Sequence, residues 1–202
     1  MDPTSNHSER CRDCKERIRQ LLTAMYGECR LNHSFPWPTR PQHYTGTSMG
    51  HALEEIQQHL NKLRGYTDYI KAEWMPPCDY YLPSVDLILE FDESQHFTEP
   101  RQLSLKHYPR EWDVGFSIAH WIQLCQQINA KDDTPPDRDE RRAWYDTLRD
   151  LLPPFHGMRP TVRIYADDFR WCSLTEGSPN DLETFRSLLK HLPAQVKIGP
   201  LG

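Results

Sequence analysis

No run of this chain approaches the roughly 18 consecutive apolar residues that a membrane-crossing helix needs, which argues against a membrane partner or span. The opening residues, MDPTSNHSER, carry neither the basic n-region nor the apolar h-region of a secretory signal. Glycine is scarce, nine residues against seventeen prolines, so stiff, extended connections are expected. No glycine-rich phosphate loop is present, and that sets aside a dinucleotide-binding fold. Six cysteines scattered over 202 residues do not make a disulfide framework; a cytoplasmic setting is expected, with the thiols either free or ligating a metal. Basic charge is not in excess either. With 24 Lys and Arg against 29 Asp and Glu, the net charge is −5, which argues against coating nucleic acid by bulk electrostatics. A nuclease remains compatible, because a basic patch can be local and a bound metal neutralises carboxylates.

What the chain does have is aromatic area, 11% of residues, to offset a low apolar fraction of 37%. Its length suits one domain with an N-terminal appendage, divided here into a helical region at 1–65 and a core at 66–202. Ile18, Leu21, Leu22 and Met25 recur at helical spacing in 12–26, with Gly27 as the stop. A proline-, histidine- and threonine-rich surface loop is expected over 30–50, then a helix over 49–64 ended by Gly65. Three strands follow, in YTDYIKAEW, CDYYL and VDLILEF. Helices are expected after Pro100, over 115–130 and up to Leu152, then a strand in TVRIYA and a closing helix in DLETFRSLLKHL. This order implies an α/β fold, a small mixed sheet flanked by helices.

The segment CDYYLPSVDLILEFDESQHFT holds the most chemistry. Pro83-Ser84 makes a tight turn, so Asp79–Leu82 and Val85–Asp92 should pair as an antiparallel hairpin. Side chains alternate along a strand, which puts Glu90 and Asp92 on one face. The turn brings Asp79 beside Glu90. Carboxylates converging in this way repel unless a cation sits between them. Oxygen donors suit Mg²⁺ or Mn²⁺, and such an ion can activate a water against a phosphodiester. A strand that simply reaches solvent is the plainer account of these acids, and Glu93 fits it.

These residues resemble the active-site hairpin of the PD-(D/E)XK nucleases, the restriction-endonuclease-like superfamily. The similarity is closest to the very-short-patch-repair-like branch, where a DFYLP strand turns into an IE(Y/F)DGxQH(F/Y) strand. The resemblance implies an α-β-β-β-α-β core within 66–202 and a metal-dependent endonuclease acting on DNA, RNA not being excluded. It also implies that Asp79 is the first metal-binding aspartate and Glu90 the acid of the second motif. Asp92 falls where most of the superfamily has its lysine, and Gln95 and His96 match the closing Gln-His. Glu93 replaces a glycine. With the lysine absent, Lys106 or His96 is the candidate for handling protons, and Asp92 for completing the metal shell.

Other constellations are weaker. Cys11, Cys14, Cys29 and His33 form C-x2-C-x14-C-x3-H, close to structural zinc spacing, although an intervening helix separates the pairs. Solvent-facing, unligated Cys11 and Cys14 are the alternative. Arg101, Arg138, Arg142 and Arg149 are candidates for phosphate contacts, with Arg159 and Arg163 extending a basic rim. Acids among them make a salt-bridged helix equally available. A non-catalytic nucleic-acid-binding or scaffold protein on the same fold is the rival reading, and a homodimer is left open.

Overall fold

The computed structural model describes residues 12–189. Six helices and four strands follow one another as α1 (Arg12–Tyr26), β1 (Arg30–His33), α2 (Ser48–Arg64), β2 (Cys78–Leu82), β3 (Leu87–Asp92), α3 (Glu99–Lys106), α4 (Ile118–Ile128), α5 (Arg138–Phe155), β4 (Val162–Tyr165) and α6 (Pro179–Leu188). The strands form one mixed sheet in the order β1-β2-β3-β4. The first two pairings are antiparallel and β3 runs parallel to β4. Among the described residues no helix is long and apolar enough to cross a membrane.

The helices form where the apolar spacing places them. On α1, Ile18, Leu21, Leu22 and Met25 are fully buried, as a 3.6-residue period requires of a helix lying on a core. Gly65 closes α2 at φ +80°, a left-handed geometry that costs glycine little. Thr47, Thr98, Ser117 and Ser178 cap α2, α3, α4 and α6, each hydroxyl accepting a backbone N–H in the first turn. The expected β2–β3 hairpin is present, with Tyr80 opposite Leu89 and Leu82 opposite Leu87.

Two expectations fail. YTDYIKAEW forms no regular strand; only Trp74 makes an isolated bridge, to Pro38. Its apolar members are still used, since Tyr69, Ile70 and Met75 are buried. The missing strand is β1, inside the segment expected to be loop. Arg30-Leu-Asn-His has no apolar alternation because it is an edge strand with mostly exposed side chains. Through it the N-terminal segment supplies an edge strand to the sheet, and one apolar cluster runs from Cys14 to Leu189. The closing helix stops at Leu188, and the end of the expected helix lies outside the described residues.

The sheet's two faces differ in character. One, bearing Tyr80, Leu89 and Phe91, lies under α1, where the Tyr80 hydroxyl donates to the Lys15 carbonyl at 2.9 Å. The other, bearing Glu90, Asp92 and Arg163, lies under α4 and α5, which reach it with polar side chains.

Candidate functional site

β2 and β3 part company at one end. The last paired residues there are Tyr80 and Leu89, and beyond them side chains take over the ladder's work. The Asp79 N–H donates to Glu90 Oε1 at 3.1 Å, and the Phe91 N–H donates to Asp79 Oδ2 at 2.9 Å. Each carboxylate is thereby pinned by one oxygen to the opposite strand. The second oxygen of each faces a cation: Asp79 Oδ1 lies 4.0 Å from Lys15 Nζ, and Glu90 Oε2 lies 3.6 Å from Arg149 Nε. Lys15 also approaches Glu93 at 3.6 Å and lies over the Phe91 ring. This fork opens on a cleft of about 550 Å³ lined by Lys15, Glu16, Leu31, Asn32, Asp79 and Tyr80.

Glu90 is nearly inaccessible at 3% exposure. Burial pushes its carboxyl up to about 8, against the opposing pull of Arg149. Arg149 is held beside it by bonds to the Pro77 carbonyl at 3.1 Å and to Asp146 at 3.3 Å. Its Nε is buried without a hydrogen-bond partner. The guanidinium therefore faces Glu90 as a charge, not as a bonded pair.

Asp92 belongs to a different assembly. Arg163 Nη1 donates to its Oδ1 at 2.7 Å and the Trp121 indole to its Oδ2 at 2.8 Å. Arg163 also donates to Asp150 at 2.6 Å and lies 3.5 Å from Asp146. Arg101 and the Tyr108 hydroxyl each donate to Asp150 at 2.7 Å. His96 completes the set, 2.9 Å from Asp146 and 3.5 Å from Asp92 through Nδ1. Burying an ion unpaired costs several kcal/mol, so these acids and arginines hold one another in place. Burial pushes His96 down, but Asp146 and Asp92 outweigh it and raise its pKa. Burial likewise pushes Asp146 up, and His96 with Arg163 holds it well below the usual carboxylate range.

No protein-family model, curated protein or solved structure matches the chain.

The structure thus brings Asp79 and Glu90 together and separates Asp92 from them in role, since both Asp92 oxygens are committed to Arg163 and Trp121. His96 sits on the Asp92 side, bonded to Asp146. Lys106 is exposed at the C-terminal end of α3, with no ion pair to any of these acids. Arg101 and Arg163 are the clear corrections to the expected phosphate-binding set. At 1% and 3% exposure they are buried partners of Asp150 and Asp92 and cannot meet a nucleic acid. Arg142 is spent on the Gln95 carbonyl at 2.8 Å and Asp132 at 3.0 Å. Gln95 in turn donates to Glu93 at 2.9 Å. Arg138 is exposed but paired with Asp132 at 3.1 Å.

The proposed cysteine zinc set does not assemble among the described residues; Cys11 lies outside them. Cys14 faces the core at 1% exposure, not solvent. Burial pushes the Cys29 thiol up to about 11, which keeps it protonated at neutral pH. His33 stacks on Tyr81, with ring centroids 4.7 Å apart.

Lys15, Asp146 and Asp150 are the site residues that the sequence reading missed; Arg149, expected as a phosphate contact, stands beside Glu90 instead. A signal for the acids exists: Asp139, Ala143, Asp146 and Asp150 recur at four-, three- and four-residue steps on α5, and all are buried. That is the spacing of a core-facing stripe, carried by carboxylates.

Proposed function

We propose that the chain is a metal-dependent nuclease that hydrolyses phosphodiester bonds of DNA at the fork between β2 and β3. The observation that carries this is the Asp79–Glu90 pair, cross-pinned beside a cleft that Asp79 and Lys15 line. The element order supports the same reading. With α2, α3 and α4 set aside as insertions, the chain runs α-β-β-β-α-β before the closing α6, the order implied by the resemblance to restriction-endonuclease-like proteins. Its first helix and strand are, however, α1 and β1, which lie ahead of residue 66, where that core was expected to begin.

The donor set fits Mg²⁺ or Mn²⁺. Mg²⁺ is usually held by one or two carboxylates, with waters and substrate phosphates making up the rest. Asp79 and Glu90 would be the two carboxylates, and the fork needs no third acid from Asp92. A buried carboxyl raised to about 8 also lacks a sufficient cation, a deficit that a divalent ion remedies. When bound, the ion supplies positive charge for the phosphate and an acidified water.

The chain's own residues do the rest. Lys15, on α1, stands where a lysine can meet a phosphate oxygen or orient a water, and so takes up the part that the strand leaves open at Asp92. Arg149 holds its positive charge 3.6 Å from Glu90 Oε2, where it favours the ionised carboxylate. Pinning by backbone N–H groups holds both carboxylates in position, so little reorganisation is needed when charge develops.

The test is cleavage of plasmid and of labelled single- and double-stranded oligonucleotides in Mg²⁺ or Mn²⁺, with Glu90→Gln in parallel. Metal-dependent cleavage lost in the variant is the expected result. A second reading, a binding module on the same fold, is favoured by the arginine already facing Glu90. Nucleic-acid binding without cleavage by the wild type, unaffected by the divalent ion, would establish that reading instead.

A further inference from the structure

Apart from the residues of the fork, three metal-capable side chains converge with no role in the site above. Glu55 and His59 are one turn apart on α2, so they share a helix face. His107 follows the last residue of α3 and is its C-cap. One ligand atom from each of Glu55, His59 and His107 lies within 4.8 Å of the other two. We propose that these residues form a surface site for a borderline divalent transition ion of the Zn²⁺ class, with an open fourth position for water.

One edge of an ion's coordination shell is already in place. At Zn–N and Zn–O distances of about 2.0–2.1 Å, two ligands of a tetrahedron stand roughly 3.4 Å apart. Glu55 Oε1 and His107 Nδ1 are 3.2 Å apart. The third corner requires His59 to turn. The His59 and His107 rings stack with centroids 3.6 Å apart and planes 20° from parallel, so their in-plane lone pairs meet at a common centre only when one ring rotates about its χ angles out of the stack. Both imidazoles are half-buried and Glu55 is exposed, so the open corner faces water.

Donor chemistry selects the ion. Two imidazoles and a carboxylate suit Zn²⁺, Ni²⁺ or Cu²⁺, whereas Mg²⁺ prefers oxygen donors. Without an ion, stacked rings and one hydrogen bond are a modest return for bringing two histidines and a glutamate together. With one, α2 would be tied to α3. The cation proposed at Asp79 and Glu90 would be oxygen-bound, so the two sites are chemically separable.

The experiment is calorimetric titration of the full chain with Zn²⁺ and separately with Mg²⁺, on the wild type, His59→Ala and His107→Ala, with Cys29→Ser as a control for thiolate binding. Co²⁺ absorption provides a second readout. One Zn²⁺ per chain, weakened at least about tenfold in either histidine variant and unchanged in Cys29→Ser, with a Co²⁺ spectrum lacking thiolate charge-transfer bands, is expected. Zn²⁺ binding that survives both histidine substitutions, that disappears with Cys29→Ser, or that is absent from the folded wild type would overturn the assignment. None of these outcomes depends on nuclease activity.

Discussion

Asp79 and Glu90 exchange hydrogen bonds across the fork, the Asp79 N–H to Glu90 Oε1 at 3.1 Å and the Phe91 N–H to Asp79 Oδ2 at 2.9 Å. Ordinary ladder bonds would have closed the sheet here. Substituting carboxylates for carbonyls keeps the backbone satisfied while leaving one oxygen on each acid free of strand bonds.

The first prediction uses that division of labour. Glu90→Gln and Asp79→Asn retain an oxygen that can accept the same backbone N–H, so the fold should survive with melting temperatures near that of the wild type. Each removes a formal charge from the proposed cation site, and cleavage should fall by about 10²-fold or more, the scale of losing one group that stabilises charge in the transition state. Single-turnover cleavage alongside circular dichroism checks both halves. Wild-type rates in both variants would remove the fork from the mechanism.

Stability should decline as the medium becomes alkaline. Glu90 is raised from 4.5 to about 8, so between those values the folded chain holds a proton that the unfolded chain has released. His96 is raised from 6.5 in the same sense by Asp146 and Asp92, against its burial; its contribution is complete below 6.5 and is lost as pH climbs through its folded pKa. Asp146 acts oppositely. Held low by His96 and Arg163 despite its burial, it loses its contribution as pH falls below 3.8. Thermal melts in EDTA should therefore peak in mildly acidic buffer and fall steadily toward pH 8. Glu90→Gln should flatten part of the alkaline decline, and an unchanged slope in that variant would count against Glu90 as its source.

Lys15 should matter to rate more than to folding. Its side chain is 43% exposed, and its contacts with Asp79 and Glu93, at 4.0 and 3.6 Å, are of the surface type that contributes little to stability. Lys15→Ala should lower cleavage by about 10–10²-fold, with Lys15→Arg recovering part of the loss, on the ordinary scale of a positioned proton-transfer or charge-stabilising group. Rates for both variants at wild-type level would leave the lysine's part to another residue.

The helices and the β2–β3 hairpin were legible because their signals are local: apolar residues at helical spacing on α1 and α2, Gly27 and Gly65 as their stops, Pro83-Ser84 at the hairpin. Asp79 facing Glu90 followed from strand register alone. β1 was not legible, since an exposed edge strand such as Arg30-Leu-Asn-His needs no apolar alternation. Residues 66–74 misled in the opposite way, because Tyr69 and Ile70 bury themselves without ladder pairing. The buried ion network was hidden for a third reason. Charged residues are mostly exposed, so Arg101 and Arg163 read as surface cations until Asp150 and Asp92 were found against them.

Those two arginines support the last prediction, which reverses their expected role. Arg163 is the hub of the network, donating to Asp92 and Asp150 and lying beside Asp146. Removing it leaves buried carboxylates uncompensated, a defect that typically costs about 3–5 kcal/mol. Arg163→Met keeps much of the side-chain volume but not the charge, and should lower the melting temperature by roughly 10 °C, taking about 2–4 °C per kcal/mol for a chain of this size. Arg101→Met should act in the same direction through Asp150 and Tyr108. Neither side chain reaches solvent, so for whichever variant stays folded, the salt dependence of DNA binding should match the wild type, as no phosphate contact has been removed. Urea unfolding and binding isotherms at several salt concentrations separate the two roles. A shallower salt slope with unchanged stability would return Arg101 to the nucleic-acid surface.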